Sequence, residues 1–282
     1  ATTNQAGSQI LDTPGQVMAA KKMAGQVVFI TDTDAHRATY AGPPLVYQFE
    51  RVGTSCGAIS RTAAVGTDRG VFWMGFNSFF MFDGSQVRAI PCEISDRVFL
   101  DLNEQQRTKI WGMTVGEHDE VWWFYPSADG GGECDKYAAY NIKGGFWTAG
   151  SMDRTSGVDR GVFAQPLMSG DDGKVYDHET GYNYDSATVF AESGPAYQGS
   201  GDRTIVAKKL YPDERTQGDC TVTFKTRLYP NAAESSFGPY SLANPTSIRL
   251  QGRQIRMRVE GARQTDWRIG NMRVDVSEGS RR

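Results

Sequence analysis

Glu120-Val121-Trp122-Trp123-Phe124-Tyr125 decides how this 282-residue chain is read. The run is built from aromatic and β-branched side chains, the types that fit a pleated surface. Trp122 and Trp123 are adjacent, so in a strand they face opposite sides of the sheet and only one of them can fill a given core layer. Similar apolar starts occur at Val27-Val28-Phe29-Ile30, Val71-Phe72-Trp73-Met74 and Val162-Phe163-Ala164. With Val121 they begin 44, 50 and 41 residues apart. Each is followed by a polar turn and then by a second strand ending in an aromatic near a turn residue: His36 to Gly42, Phe79 to Gly84, Tyr137 to Asn141 and Lys174 to Asp177. A repeat of about 40 to 50 residues made of such hairpins has the size of a four-stranded propeller blade. An irregular β-sandwich with hairpins of similar length is the competing reading. The same order of elements in all four units favours blades.

Past Tyr184 the texture changes to longer amphipathic strands: Ile205 to Leu210, Thr221 to Tyr229, Ser247 to Leu250, Gln254 to Glu260 and Arg268 to Val276. Alternation is plain where Ile255, Met257 and Val259 point one way and Arg256 and Arg258 the other. The sequence therefore predicts an all-β chain in three parts. Residues 1–20 read as a flexible or truncated N-terminal segment, 21–185 as propeller-like repeats of antiparallel blades, and 186–282 as a second β-rich, sandwich-like domain. One short helix is expected near Asp101 to Ile110, with Asp101 as its N-cap and Glu104 reaching back.

Composition agrees with a packed β-rich chain: 39% apolar, 11% aromatic, and 32 Gly with 11 Pro to punctuate the strands. No apolar run reaches the roughly 20 residues a transmembrane helix needs, and Ala1 to Ile10 has neither the basic start nor the apolar stretch of a signal peptide. Cys56, Cys92, Cys134 and Cys220 match neither a zinc pattern nor a CxxC, and read as reduced, half-buried small hydrophobes in a reducing compartment. The net charge of −3 hides an asymmetry. From Arg249 onward nine Arg stand against four acids, a net +5, so the preceding 248 residues carry −8. An acidic body with a basic end suits docking between proteins better than gripping nucleic acid.

Little in the chain points to catalysis. His36, His118 and His178 fall in different repeat units, which argues against a metal set or a Ser-His-Asp site. Asp32-Thr33-Asp34 lacks the glycine and terminal glutamate of a calcium loop and reads as a hairpin turn. There is no phosphate loop or dinucleotide fingerprint, so no cofactor is expected. Ser169, Asp171, Gly173 and Tyr176 have the spacing of the Asp-box turn of propeller sialidases, with Tyr in the usual Trp position. That turn is a structural staple and supports fold more than activity. It keeps one alternative open, a propeller that binds or cleaves glycans, and exposed aromatics would serve that role as stacking surfaces.

Several strings together resemble one family, the β-propeller tail hub or nozzle proteins of short-tailed phages, related to those called packaged-DNA stabilisation proteins. They are Phe49 to Gly53 with Cys56-Gly57, Val71 to Gly75, Glu120 to Pro126, Gly145-Phe146-Trp147, Tyr211 to Glu214, Phe224 to Arg227, Gly238-Pro239-Tyr240, Gly252-Arg253-Gln254 and Arg281-Arg282. The resemblance spans nearly the whole chain and matches the C-terminal portion of longer family members. It implies a non-enzymatic virion protein, assembled in the host cytoplasm into a ring of six copies. That ring would sit beneath the portal-adaptor ring, with other tail proteins as neighbours, and double-stranded DNA would pass through it without sequence-specific binding. An acidic lumen fits passage, because a strongly basic one would hold the DNA by counterion release. On this reading Arg249, Arg253, Arg256, Arg258, Arg273, Arg281 and Arg282 form the assembly interface, a guanidinium row turned outward toward acidic neighbours.

Overall fold

A computed structural model describes residues 8–182, 187–197, 201, 203–261 and 265–281. The fold is all-β, 51% strand against 4% helix, in several small antiparallel sheets. It divides into two compact units, Ala1–Thr180 and Gly181–Arg282.

The first unit is a succession of meanders. Strands β1 (Val17–Met23), β2 (Gln26–Thr31), β3 (Ala35–Gly42) and β4 (Val46–Gly53) make the first sheet. The second holds β5 (Ala64–Gly66), β6 (Val71–Met74), β7 (Phe79–Phe82) and β8 (Val87–Ile90). The third holds β9 (Trp111–Val115), β10 (Glu120–Tyr125), β11 (Lys136–Asn141) and β12 (Trp147–Ser151). A fourth, of three strands only, is β13 (Ser156–Val158), β14 (Leu167–Ser169) and β15 (Val175–Asp177). Each sheet runs in chain order, and the first strands β1, β5, β9 and β13 are successive neighbours. This is the blade arrangement that the repeat predicts.

The sheets stack through three apolar layers. Val28, Ile30 and Ala35 of the first sheet meet Val71, Trp73 and Phe82 of the second. The other face of the second, Phe72, Met74 and Phe79, meets Val121, Trp123 and Tyr125 of the third. The far face of the third, Trp111, Trp122 and Phe124, packs on Met168 of the fourth. Trp122 and Trp123 thus lie in different layers, as adjacency in a strand requires. Gly157 lies against the same layer, where a Cβ would come within 3.0 Å of the Trp111 ring and of Met168.

Indole N–H groups tie the layers together by donating to backbone carbonyls in the segments that enter or leave a neighbouring sheet. Trp73 reaches Cys56 O at 2.6 Å, Trp123 reaches Ala63 O at 2.8 Å, Trp111 reaches Arg154 O at 3.0 Å and Trp147 reaches Pro91 O at 2.8 Å. The Trp73 and Trp123 donors are buried and need a partner, and all four find one outside their own sheet.

Three expectations need correction. Val162-Phe163-Ala164 is not a strand: Val162 is 99% exposed, and the run has no layer to bury against between Gly161 and the donor-less Pro166. Among the described residues helix is confined to α1 (Ser95–Phe99) and a 3-10 turn at Glu104–Lys109, and Asp101 caps neither. Its carboxylate instead pairs with Lys136 of β11, 2.6 Å away. Finally, β1 begins at Val17, inside the stretch read as flexible.

The second unit contains two facing sheets. One orders β16 (Phe190–Glu192), β21 (Gln254–Gly261), β18 (Cys220–Arg227) and β19 (Ser235–Ser241). The other orders β20 (Thr246–Gly252), β17 (Arg203–Pro212) and β22 (Met272–Arg281). Val222, Phe224 and Val259 from the first meet Ala207, Leu210, Ile248 and Leu250 from the second in one core. The unit is a small sandwich with each sheet's inner face apolar and its outer face polar.

Candidate functional site

The turn between β14 and β15 carries the Asp-box-like spacing, and its chemistry falls one residue away from the expected place. Gly170 N–H donates to Lys174 O at 2.8 Å, and Gly173 takes φ +76°, the left-handed conformation that suits glycine. The carboxylate that closes the turn is Asp172. It accepts from Lys174 N–H at 3.1 Å and from the Tyr176 hydroxyl at 2.7 Å, with Lys174 Nζ at 3.0 Å. These bonds, Tyr176 first, hold its pKa down at about 2. Asp171 stands exposed beside it and raises the pKa of Asp153, second to burial. Ser169 enters through its carbonyl, which accepts from Thr155 N–H at 2.9 Å. The Arg154 guanidinium lies 4.1 Å above the Tyr176 ring and donates from Nε to His178 Nε2 at 2.9 Å. Neither Asp172 nor Arg154 was singled out by the motif. Arg154 is 22 residues from Tyr176 in the chain and is brought there by the β13–β14 hairpin.

Two histidines near this turn titrate in opposite senses. His178, acting as acceptor for Arg154, has its pKa lowered by burial and then by the guanidinium charge. For His118 burial also lowers the pKa, but its 2.8 Å bond to Glu179 and the charges of Glu179, Glu120 and Glu117 outweigh this and leave it raised. The lowered group leaves the unfolded chain binding the extra proton, so His178 removes stability as pH falls through the ordinary histidine range near 6.5. The raised group contributes stability below that range and loses it as pH rises through its folded value. His178→Gln should therefore flatten the acid side of a melting-temperature profile, and His118→Gln should steepen it. Parallel profiles for both variants and the parent between pH 5 and 8 would refute the pair of assignments.

The arginines do not form one row. Arg249 and Arg273 lie exposed on the outer side of the β20-β17-β22 sheet, whereas Arg256 and Arg258 lie on the outer side of the other sheet. The latter two are half-buried in a network around Glu192 of β16. Glu192 Oε1 is 2.7 Å from Arg256 and 3.1 Å from Lys225, and its Oε2 is 3.4 Å from Arg258. Arg256 also meets Glu234, and Arg258 meets Glu260 at 2.6 Å and stacks 3.7 Å over Phe190. Burial raises the pKa of Glu192, but Lys225, Arg256 and Arg258 pull it below its ordinary value. Arg253 stacks on Tyr229 at 5.2 Å. Arg281 pairs through its backbone with Arg203; its side chain, and all of Arg282, lie outside the described residues. The expectation of a free guanidinium row is corrected for Arg256 and Arg258, whose charges are matched within the unit.

A shallow open groove on the sandwich is lined by Tyr211, Asp213, Glu214, Arg215, Arg273 and Asp275. Asp213 is closed off there: it accepts from Asn271 N–H at 2.8 Å and from Arg215 N–H at 3.1 Å, and its pKa is lowered chiefly by the first bond. Among the described residues no three His, Cys, Asp or Glu side chains gather as a metal-ligand set. The four cysteines are free. Burial pushes the thiols of Cys56 and Cys134 up to about 12, far from reactive thiolates.

Fold and site together define a class: an all-β chain of stacked meander sheets and a sandwich, whose acidic side chains largely serve turns and ion pairs. No protein-family model matches the chain, and no curated protein matches it. Among solved structures, one titled "Glycoside hydrolase" aligns over 87% of this chain and 81% of its own length, at 8% identity and a TM-score of 0.30. A likeness at that score carries no argument about fold or chemistry.

Proposed function

We propose that this chain is a non-enzymatic structural subunit of a phage tail, of the hub or nozzle kind, lining or flanking a channel for double-stranded DNA. The observation that carries the reading is where the resemblance strings sit. Val71 to Met74 and Glu120 to Tyr125 are the buried central strands of their sheets, Trp147 ties β12 to Pro91, and Asp213 closes the turn after β17. They are positions that build a scaffold. Charge is partitioned in the same spirit: residues 1–180 hold fifteen Lys and Arg against twenty-two acids, net −7, and residues 181–282 hold fifteen against eleven, net +4. An acidic unit repels phosphate and a basic one suits acidic protein neighbours.

Immunogold labelling of purified virions with antibody raised against the chain tests the proposal. Gold is expected at the tail. A chain abundant in the soluble lysate but absent from particles would overturn the tail assignment.

A further inference from the structure

In an up-and-down sheet the first and third turns lie at one end and the second turn at the other. Bonds between turns gather the first-and-third-turn ends of the four sheets on one side of the first unit. Gln26, at the β1–β2 turn, donates to Gly84 O of the β7–β8 turn at 3.2 Å. Arg69 of the β5–β6 turn meets Asp119 of the β9–β10 turn at 3.5 Å. Asp159, which opens the β13–β14 loop, accepts from Gly116 N–H of that same β9–β10 turn at 2.9 Å.

Three loops at this end present apolar side chains to solvent. The β3–β4 hairpin runs past Gln26 and Thr39, the last rung β2 shares with it, through Tyr40 opposite Tyr47 to Gly42 opposite Val46. Its tip is Pro43-Pro44-Leu45, with Leu45 73% exposed and both tyrosines exposed at the base. Phe146 in the β11–β12 turn is 53% exposed, and Phe163 stands half exposed beside Val162 in the β13–β14 loop. Residues 38–49, 144–152 and 161–170, which contain the three loops, hold no charged side chain. Around them Arg37, Arg69 and Arg160 each meet a carboxylate, of Glu50, Asp119 and Glu117.

We propose that this end of the first unit seats on a lipid bilayer, with the three loops entering the interface of a zwitterionic membrane. Sheets packed face to face lie about 10 Å apart, so tips on the first, third and fourth sheets are too widely spaced for one pocket. A protein partner concentrates its anchors at the centre of a contact, whereas a fluid bilayer takes each tip wherever it stands. The β3–β4 tip also dehydrates at little cost: its two prolines carry no N–H, and Tyr47 N–H donates to Leu45 O at 2.5 Å. Behind it the Tyr40 and Tyr47 rings meet edge to face at 5.8 Å, at the level where amphipathic rings anchor among headgroups. With these arginines matched and residues 1–180 net acidic, attraction comes from apolar area and not from anionic lipid. Lipid binding by this end does not depend on the tail reading: a chain absent from virions would keep it.

Co-sedimentation of the full chain with phosphatidylcholine vesicles tests this at about 1 mM lipid, where an anchor as weak as one myristoyl chain is mostly bound. The parent should pellet with the vesicles, and equally at about 0.1 M and about 0.5 M salt, because apolar insertion is not screened. Leu45→Glu and Phe163→Glu, on different loops, should each lower the partition coefficient by about tenfold or more, since each exchanges a large apolar side chain for a charge. Leu100→Glu is the control: Leu100 is 83% exposed in the β8–β9 connection, at the other end of the sheets, and this variant should bind like the parent. A parent left in the supernatant overturns the proposal. So do loop variants that bind like the parent, a control that weakens binding as much as they do, or binding that requires phosphatidylserine and vanishes at high salt. A parent that ignores vesicles yet forms a stoichiometric complex with a protein through Leu45 and Phe163 also overturns it, and gives the loops to a protein partner. These side chains are exposed, so folding should survive. If circular dichroism shows loss of sheet in either loop variant, Val162→Glu provides the same test.

Discussion

Replacing Trp123 with alanine is expected to lower the stability of the first unit by about 3 to 5 kcal/mol, the range for truncating a large buried aromatic. Trp123 is fully buried between the second and third sheets, its ring 4.9 Å from Phe79 and 6.0 Å from Trp147. Truncation opens a void in a layer shared by two sheets and also strips the buried Ala63 carbonyl of its indole donor, a further cost of about 1 to 3 kcal/mol if water cannot reach it. The effect should therefore lie toward the top of the range. Urea unfolding followed by tryptophan fluorescence reads this unit well, because five of the six tryptophans belong to it. Val162→Ala is the control: the side chain is 99% exposed and should change the midpoint by less than about 0.5 kcal/mol. Equal effects at the two positions would overturn the layer assignment.

Reversing two charges on β21, Arg256→Glu with Arg258→Glu, is expected to destabilise the sandwich by about 3 to 5 kcal/mol, as loss of partners does for a largely buried charge. Strand alternation alone predicts a folded monomer, since both side chains point away from the core. The ion pairs decide otherwise. Glu192 is only 13% exposed and depends on Arg256, Arg258 and Lys225, and the reversal would crowd two new carboxylates among Glu192, Glu234 and Glu260. Arg249→Glu, at an exposed position on the other sheet and outside this network, should shift stability by less than about 1 kcal/mol. The same network sets a pH signature. Because the Glu192 pKa is lowered on folding, its contribution is present above the ordinary carboxylate range near 4.3 and is lost as pH falls through the folded value. Glu192→Gln should remove that acid-side loss. A double reversal that melts like the parent would refute the network.

The central strands of the first three sheets were legible because dense aromatic and β-branched runs have few other homes: β2, β6 and β10 lie where the apolar starts put them. The fourth unit was half-legible. Its Lys174 to Asp177 strand is present as β15, but β13 and β14 are three residues each, too short to show a period, and the nearby Val162 run is more apolar than either. Edge strands fared worst. β16 and β19 pair on one side only among the described strands, and Ser235 to Ser241 is mostly polar or small, with no alternation to find. At the turn, the motif spacing selected Asp171 where geometry uses Asp172, because which carboxylate faces Tyr176 depends on the left-handed Gly173 and not on residue count. The Glu192 network joins residues 33 to 66 positions apart, a distance over which no local pattern speaks.

The indole bonds between sheets have a consequence for how the chain finds its alignment. In most antiparallel strands a slip of one residue exchanges wet and dry sides, and that penalty fixes the pairing. From Val121 to Tyr125 every residue is buried, so a slipped β10 would still present oily groups both ways and lose little by hydrophobicity alone. What a slip cannot preserve is the meeting of one nitrogen with one carbonyl. Phenylalanine at Trp73, Trp111, Trp123 or Trp147 would fill much of the same space, yet it would carry no address. The nitrogen atoms act as dowels: they add modestly to the strength of the joint and determine which way the boards go together.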